Sequence, residues 1–127
     1  MQSPRIPETA PPDRRPRGTL APCVQQALQS LGERYAREGV TLFLFGSIAR
    51  CWPEAPVGAD FDFGYETPAG TADPEALRRR LEDDLALLPS IRPVDLVDFS
   101  RAPASFRAVA SQCRLNLADV LAPAATR

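Results

Sequence analysis

There is no histidine and no lysine among the 127 residues. Without an imidazole, a Ser-His-Asp triad, a Cys-His dyad and a His-ligated zinc are all impossible within this chain. Cysteine is scarce as well: Cys23, Cys51 and Cys113 lie far apart and form no CxxC pair. An odd, scattered set fits reduced thiols in a cytosolic protein better than a disulfide framework. No apolar run approaches the roughly 20 residues of a membrane span. The first residues mix Pro, Arg and acidic groups instead of a basic stub and an apolar segment, so no secretory signal is expected. An excess of positive charge is also missing. The formal net charge is −1, whereas bulk nucleic-acid binding needs a basic surface that displaces phosphate counterions. The expectation is a cytoplasmic protein with no membrane segment and no strong direct nucleic-acid binding.

What is present suits one folded domain. Apolar residues make up 44% of the chain, enough for a core at this length. Residues 1–18 are too rich in Pro for a helix and have almost nothing to bury, so a disordered Pro/Arg-rich tail is expected there, with the domain over 19–127. From Pro22 to Glu38, the residues Val24, Ala27, Leu28, Leu31 and Tyr35 recur at helical spacing, and Gly39 stands where a C-cap glycine ends a helix. VTLFLF, residues 40–45, is apolar on both faces and rich in β-formers, the pattern of a covered central strand. A short helix is expected through Ile48, Ala49 and Arg50, broken at Pro53, and then a loop over 54–59.

DFDFGY, residues 60–65, alternates carboxylate and aromatic, as a strand with one polar face does. Asp73-Pro74 reads as an N-cap and first helical residue, followed by Leu77, Leu81, Leu85 and Leu88 on one face. Arg78, Arg79 and Arg80 each precede an acidic residue by four positions, which predicts surface ion pairs of a few tenths of a kcal/mol. VDLVDF, residues 94–99, is a third strand, and a last helix is expected from Pro103 to about Cys113. Helices alternating with three strands imply an α/β (α+β) sandwich: a small mixed sheet flanked by helices.

Four features of this frame carry chemistry. A strand runs into Gly46-Ser47 at the mouth of a helix, where free N–H groups and the helix dipole favour phosphate; Gly46 permits close approach and Ser47 adds a hydroxyl. Alone, such a turn is common and a plain loop is the better reading. Asp60 and Asp62, two apart on a strand, share a face, while Phe61 and Phe63 enter the core. Paired carboxylates repel unless a cation lies between them, and hard oxygen ligands select Mg²⁺. Asp95 and Asp98 differ by an odd number, so only one of them can point at that pair. Arg50, one helical turn past Gly-Ser, is placed to steady a phosphate.

In order, LFLFGSIAR, DFDF and VDLVDF resemble the DNA-polymerase-β-type nucleotidyltransferase superfamily, and most closely the minimal nucleotidyltransferases paired with HEPN-domain toxins in toxin–antitoxin modules. The resemblance spans residues 24–113 or so. It implies the polymerase-β-type fold, with Gly46 and Ser47 as the nucleotide-phosphate turn beside Arg50. Asp60 and Asp62 become metal ligands and catalytic residues, and Asp95 the third carboxylate. It further implies ATP as substrate, two Mg²⁺ ions, transfer of AMP to a hydroxyl, and a Tyr of a partner HEPN toxin as acceptor, the chain being the antitoxin. Two positions depart from the family pattern: Cys51 stands where Gly is usual and Ala59 where Ser is usual. The stretch between Gly-Ser and the first Asp is about two residues longer than usual, the extra length falling in Ala55–Gly58. These departures keep open a second class, a catalytically degenerate binding module that neutralises a partner by occlusion. Antibiotic nucleotidyltransferase ranks third, because those enzymes use a second helical domain.

Overall fold

The computed structural model describes residues 15–120. The first fourteen residues of the expected tail lie outside them. The fold is mixed α and β, as expected, with four helices and two small sheets. Strand β1 (Arg17–Thr19) and strand β3 (Glu54–Pro56) form a two-stranded antiparallel ribbon. Both correct the reading from sequence: Arg17 and Gly18 belong to a strand rather than a tail, and part of the 54–59 loop is paired. Three-residue strands carry too little periodicity to be read from composition.

The main sheet has the order β5-β4-β2-β6. Its members are β2 (Thr41–Phe45), β4 (Phe61–Glu66), β5 (Val94–Asp98) and β6 (Arg114–Asn116). Strands β2 and β4 are antiparallel, β4 and β5 parallel, β2 and β6 antiparallel, so the sheet is mixed. Helices α1 (Pro22–Ala36), α2 (Gly46–Cys51), α3 (Pro74–Ala86) and α4 (Ala104–Ala110) complete the chain. The expected last helix is cut short: α4 ends at Ala110, a 3-10 turn covers Ser111–Cys113, and β6 follows as a strand that the sequence reading lacks.

One face of the sheet is the main core. Leu42, Leu44, Phe61, Phe63 and Tyr65 alternate along β2 and β4, are all buried, and belong to one cluster with Val24, Leu28, Leu31 and Tyr35 of α1 and Leu77, Leu81 and Leu85 of α3. These are the positions that helical and strand spacing select. Fully burying one such side chain contributes roughly 1.5–3 kcal/mol, so the cluster dominates the fold's stability. Gly39 closes α1's turn at φ +83°, and Asp73 caps α3 by accepting a hydrogen bond from the Ala76 amide at 3.0 Å. Gly32 lets the 3-10 turn Leu117–Asp119 lie on α1, since a Cβ there would sit 2.5 Å from the Ala118 amide nitrogen.

The arginine run on α3 behaves differently from expectation. Arg78 pairs with Glu82 at 3.2 Å, as its spacing suggests. Arg80 turns to Glu38 instead, and Asp84 accepts hydrogen bonds from Arg34 and from the Tyr35 hydroxyl. Helix α1 lies close enough that partners across the helix pair replace those along it. Burial and the Asp84 contact push the Tyr35 hydroxyl up to about 12.

Candidate active site

The opposite face of the sheet carries the candidate site. Asp62 and Asp95 are directly paired across the parallel strands β4 and β5. In a β ladder, directly paired residues project to the same side, so the two carboxylates stand side by side. Asp98 is paired with Tyr65, three positions from Asp62 and therefore on the other face. There its Oδ1 accepts from the Ser100 amide at 3.0 Å and its Oδ2 lies 3.7 Å from Arg101 Nε. Asp95 and Asp98 thus lie on opposite faces, as their odd spacing implies, and Asp95 is the one beside Asp62. Asp60 precedes β4, is exposed, and is near enough to Asp62 to act on its charge.

Phe45 pairs with Asp62 from the other side, and the next residue is Gly46. Gly46 has φ +79°, and a Cβ on it would lie 2.6 Å from Asp62 Oδ2. The Gly-Ser turn and the first carboxylate row are thus in contact, and only glycine fits between them. Ser47 follows in the first turn of α2, half-buried, and no side chain caps that helix. Arg50 stands in its last turn, exposed, and its charge reaches Asp62.

Electrostatically the pair is uncompensated. Burial raises the Asp62 carboxyl above its usual range, the charges of Asp95 and Asp60 push the same way, and only Arg50 opposes them. None of the three carboxylates makes a hydrogen bond or ion pair with another described residue. Nor do they close on one point: among the described residues, no three His, Cys, Asp or Glu side chains are gathered so as to hold a metal ion. The donor set nevertheless fits Mg²⁺, which commonly takes one or two carboxylates and completes its octahedron with waters and substrate phosphates. The space that a Cβ on Gly46 would fill lies directly beside Asp62 Oδ2.

This arrangement has a stability cost with a definite sign. A folded carboxyl raised above its ordinary value favours the protonated form, so its contribution is present at low pH and lost as pH rises through the folded value. At neutral pH the ionised Asp62 therefore opposes folding. Asp62→Asn should raise the melting temperature at pH 7, with the advantage shrinking as pH falls toward 4. Mg²⁺ should raise the wild-type melting temperature more than the variant's. A variant less stable than wild type at pH 7 by thermal denaturation would contradict the electrostatic reading.

Three contributors escaped the sequence reading. Arg92 donates from Nη1 to the carbonyls of Pro56 at 3.0 Å and Ala59 at 2.8 Å, fixing the loop that delivers Asp60. Phe45 was read only as part of an apolar run, although its place before Gly46 already set it beside the turn. An aromatic cluster of Phe43, Phe45, Phe99 and Phe106 covers the rest of this face. It packs over Gly64, where a Cβ would lie 2.5 Å from Phe43 and 2.7 Å from Phe99.

No protein-family model matches the chain, and no curated protein matches it. Among the described residues, no helix is long and apolar enough to cross a membrane.

Proposed function

We propose that the chain is a Mg²⁺-dependent nucleotidyltransferase that moves AMP from ATP onto a hydroxyl, in keeping with the resemblance of its motifs to the minimal nucleotidyltransferases. The observation that carries this reading is the pairing of Asp62 with Asp95 on one face, in contact with a positive-φ glycine that opens the Gly46-Ser47 turn. Asp60, Asp62 and Asp95 would hold the metal. Bound there, Mg²⁺ would supply charge stabilisation for the attacking and leaving oxygens of an in-line displacement.

The chain's own residues divide the remaining work. Gly46 keeps backbone and phosphate close, Ser47 donates a hydroxyl to a phosphate oxygen, and Arg50 balances the negative charge around Asp62. Asp95, exposed at the sheet edge, positions the acceptor hydroxyl and takes its proton. The hydroxyl oxygen attacks the α-phosphorus, the bond to pyrophosphate breaks, and pyrophosphate leaves. The acceptor that the resemblance suggests is a tyrosine on a HEPN-domain toxin, which would make the protein a cytoplasmic antitoxin. Calorimetry with ATP should show binding that requires Mg²⁺ and weakens in the Asp60→Asn/Asp62→Asn double variant. Tight ATP binding that ignores both EDTA and the double variant would sink the metal assignment.

One observation favours a second reading. The three carboxylates do not close into a ligand set, and Cys51 and Ala59 flank the site where the resembling family has Gly and Ser. A degenerate module that neutralises its partner by occlusion would tolerate both. It differs from the enzyme in leaving the partner's mass unchanged.

A further inference from the structure

A cavity of about 690 Å³ opens beside the loop that delivers Asp60. Its walls come from the start of α1, the turn after β3 and the segment that leads into β5. The large aliphatic side chains among them are Leu20, Val24, Val57 and Ile91, and no aromatic or acidic residue lines it. Leu20 and Val24 are buried in the core, whereas Val57 is exposed and Ile91 completely so. Two large apolar side chains held out to water at one opening make a surface that gains by being covered.

One cation lines the same cavity. Arg92 is half-buried, and its backbone amide donates to Ser90 Oγ at 3.2 Å. Its Nη1 gives both hydrogens away, one to the carbonyl of Pro56 and one to that of Ala59. A guanidinium carries five N–H donors. Nε and Nη2 therefore keep three, and the described residues supply no acceptor for them and no carboxylate to balance the charge. Nε–H and one Nη2–H point the same way and form a side-on fork, the shape that meets both oxygens of a carboxylate.

We propose that this cavity is a binding site for an aliphatic monocarboxylate, with the acid group on the Nε–Nη2 fork of Arg92 and the chain against Leu20, Val24, Val57 and Ile91. The charge count selects the acid. One guanidinium balances one carboxylate, and no second cation lines the cavity for a phosphate dianion. The walls select the body, since without an aromatic ring there is no face on which a base or an indole could stack. Occupancy reaches the candidate active site through one side chain: Arg92 would hold the ligand by one edge and, by the other, the carbonyl that precedes Asp60. The site stands whether or not the chain transfers nucleotides.

The probe is sodium octanoate, titrated into the full chain at millimolar concentration and followed by calorimetry and methyl NMR. Shifts should gather at Val24, Val57 and Ile91. Octanol, with the same chain length and no charge, should bind about tenfold more weakly, as loss of one charge-assisted fork requires. Arg92→Gln should weaken octanoate about tenfold and leave octanol unchanged. That variant also gives up the two carbonyl bonds, so Val57→Glu provides a reading that does not depend on them. It changes an exposed residue and puts a like charge at the rim, so octanoate should weaken about tenfold while octanol stays within about threefold. Equal affinity for octanoate and octanol, or for octanoate in wild type and Val57→Glu, overturns the site. Failure of octanoate to bind wild type does the same. Shifts centred on Val109, which is 67% exposed on α4, would show mere adsorption of an amphiphile and overturn it too. A wild-type dimer that Ile91→Ser dissociates, with octanoate not bound, would assign the face to a second copy of the chain instead.

Discussion

Asp95→Asn is expected to slow nucleotidyl transfer on the order of a thousandfold while leaving the fold and partner binding intact. In the proposed reaction the metal and its ligands would act on charge that develops in the transition state, so their loss would be felt in rate more than in ground-state affinity. Deleting one ligating carboxylate forfeits several kcal/mol of that stabilisation, and each ~1.4 kcal/mol is tenfold. Asn keeps the size and hydrogen-bonding capacity of Asp95 and removes only the charge. Because Asp95 is exposed on an edge strand, the substitution disturbs no core contact. Asp98→Asn is the matched control: it lies on the same strand, faces the other way, and should transfer at the wild-type rate. The readout is the mass of the partner protein after incubation with Mg-ATP. Added AMP units with wild type and Asp98→Asn, absent with Asp95→Asn, support the enzyme. An unmodified partner inhibited equally by all three proteins would establish the occluding module instead.

The second large effect belongs to Gly46→Ala, and it separates into two parts. A residue with a Cβ at φ +79° carries roughly 1–2 kcal/mol of backbone strain. The same substitution at Gly70, where φ is +81° and nothing lies within 4 Å, carries the strain alone. At Gly46 the new methyl would also meet Asp62 Oδ2 at 2.6 Å and drive the carboxylate away from Asp95. Both variants should therefore melt several degrees below wild type, at about 4–8 °C per kcal/mol for a domain of this size. Only Gly46→Ala should lose ATP affinity, by about tenfold or more, one lost metal or phosphate contact being worth ~1.4 kcal/mol at least. If Gly46→Ala binds ATP as well as Gly70→Ala does, the turn is not a phosphate site.

The parts of this molecule that were legible in sequence are those where a period repeats. Helix α1 shows four turns of apolar spacing, and residues 60–63 alternate two aspartates with two phenylalanines, so the buried faces of α1 and β4 were assigned correctly. Counting alone placed Asp95 and Asp98 on opposite faces. Strands β1, β3 and β6 are three residues each and gave nothing to count. The rerouted pairs of Arg80 and Asp84 were hidden for a different reason: their partners lie 42 and 50 residues away along the chain, and only the packing of α1 on α3 brings them together. The contact of Phe106 with Phe45, sixty-one positions earlier, was hidden in the same way.

The pairing of Asp62 with Asp95 behaves like a two-phase clock. Each strand alternates sides with every residue, so inserting or deleting one residue inside β4 or β5 moves its aspartate half a cycle and sends it through to the opposite side of the sheet. Length changes outside the two strands leave that phase untouched. Ala55–Gly58, where the resemblance implies extra length, lies upstream of where β4 begins at Phe61, and Arg92 holds the carbonyls of Pro56 and Ala59. Natural variants should therefore tolerate length changes at Val57–Gly58, between β3 and the site, while indels between Asp62 and Gly64, or between Asp95 and Val97, should be confined to copies that have given up the site.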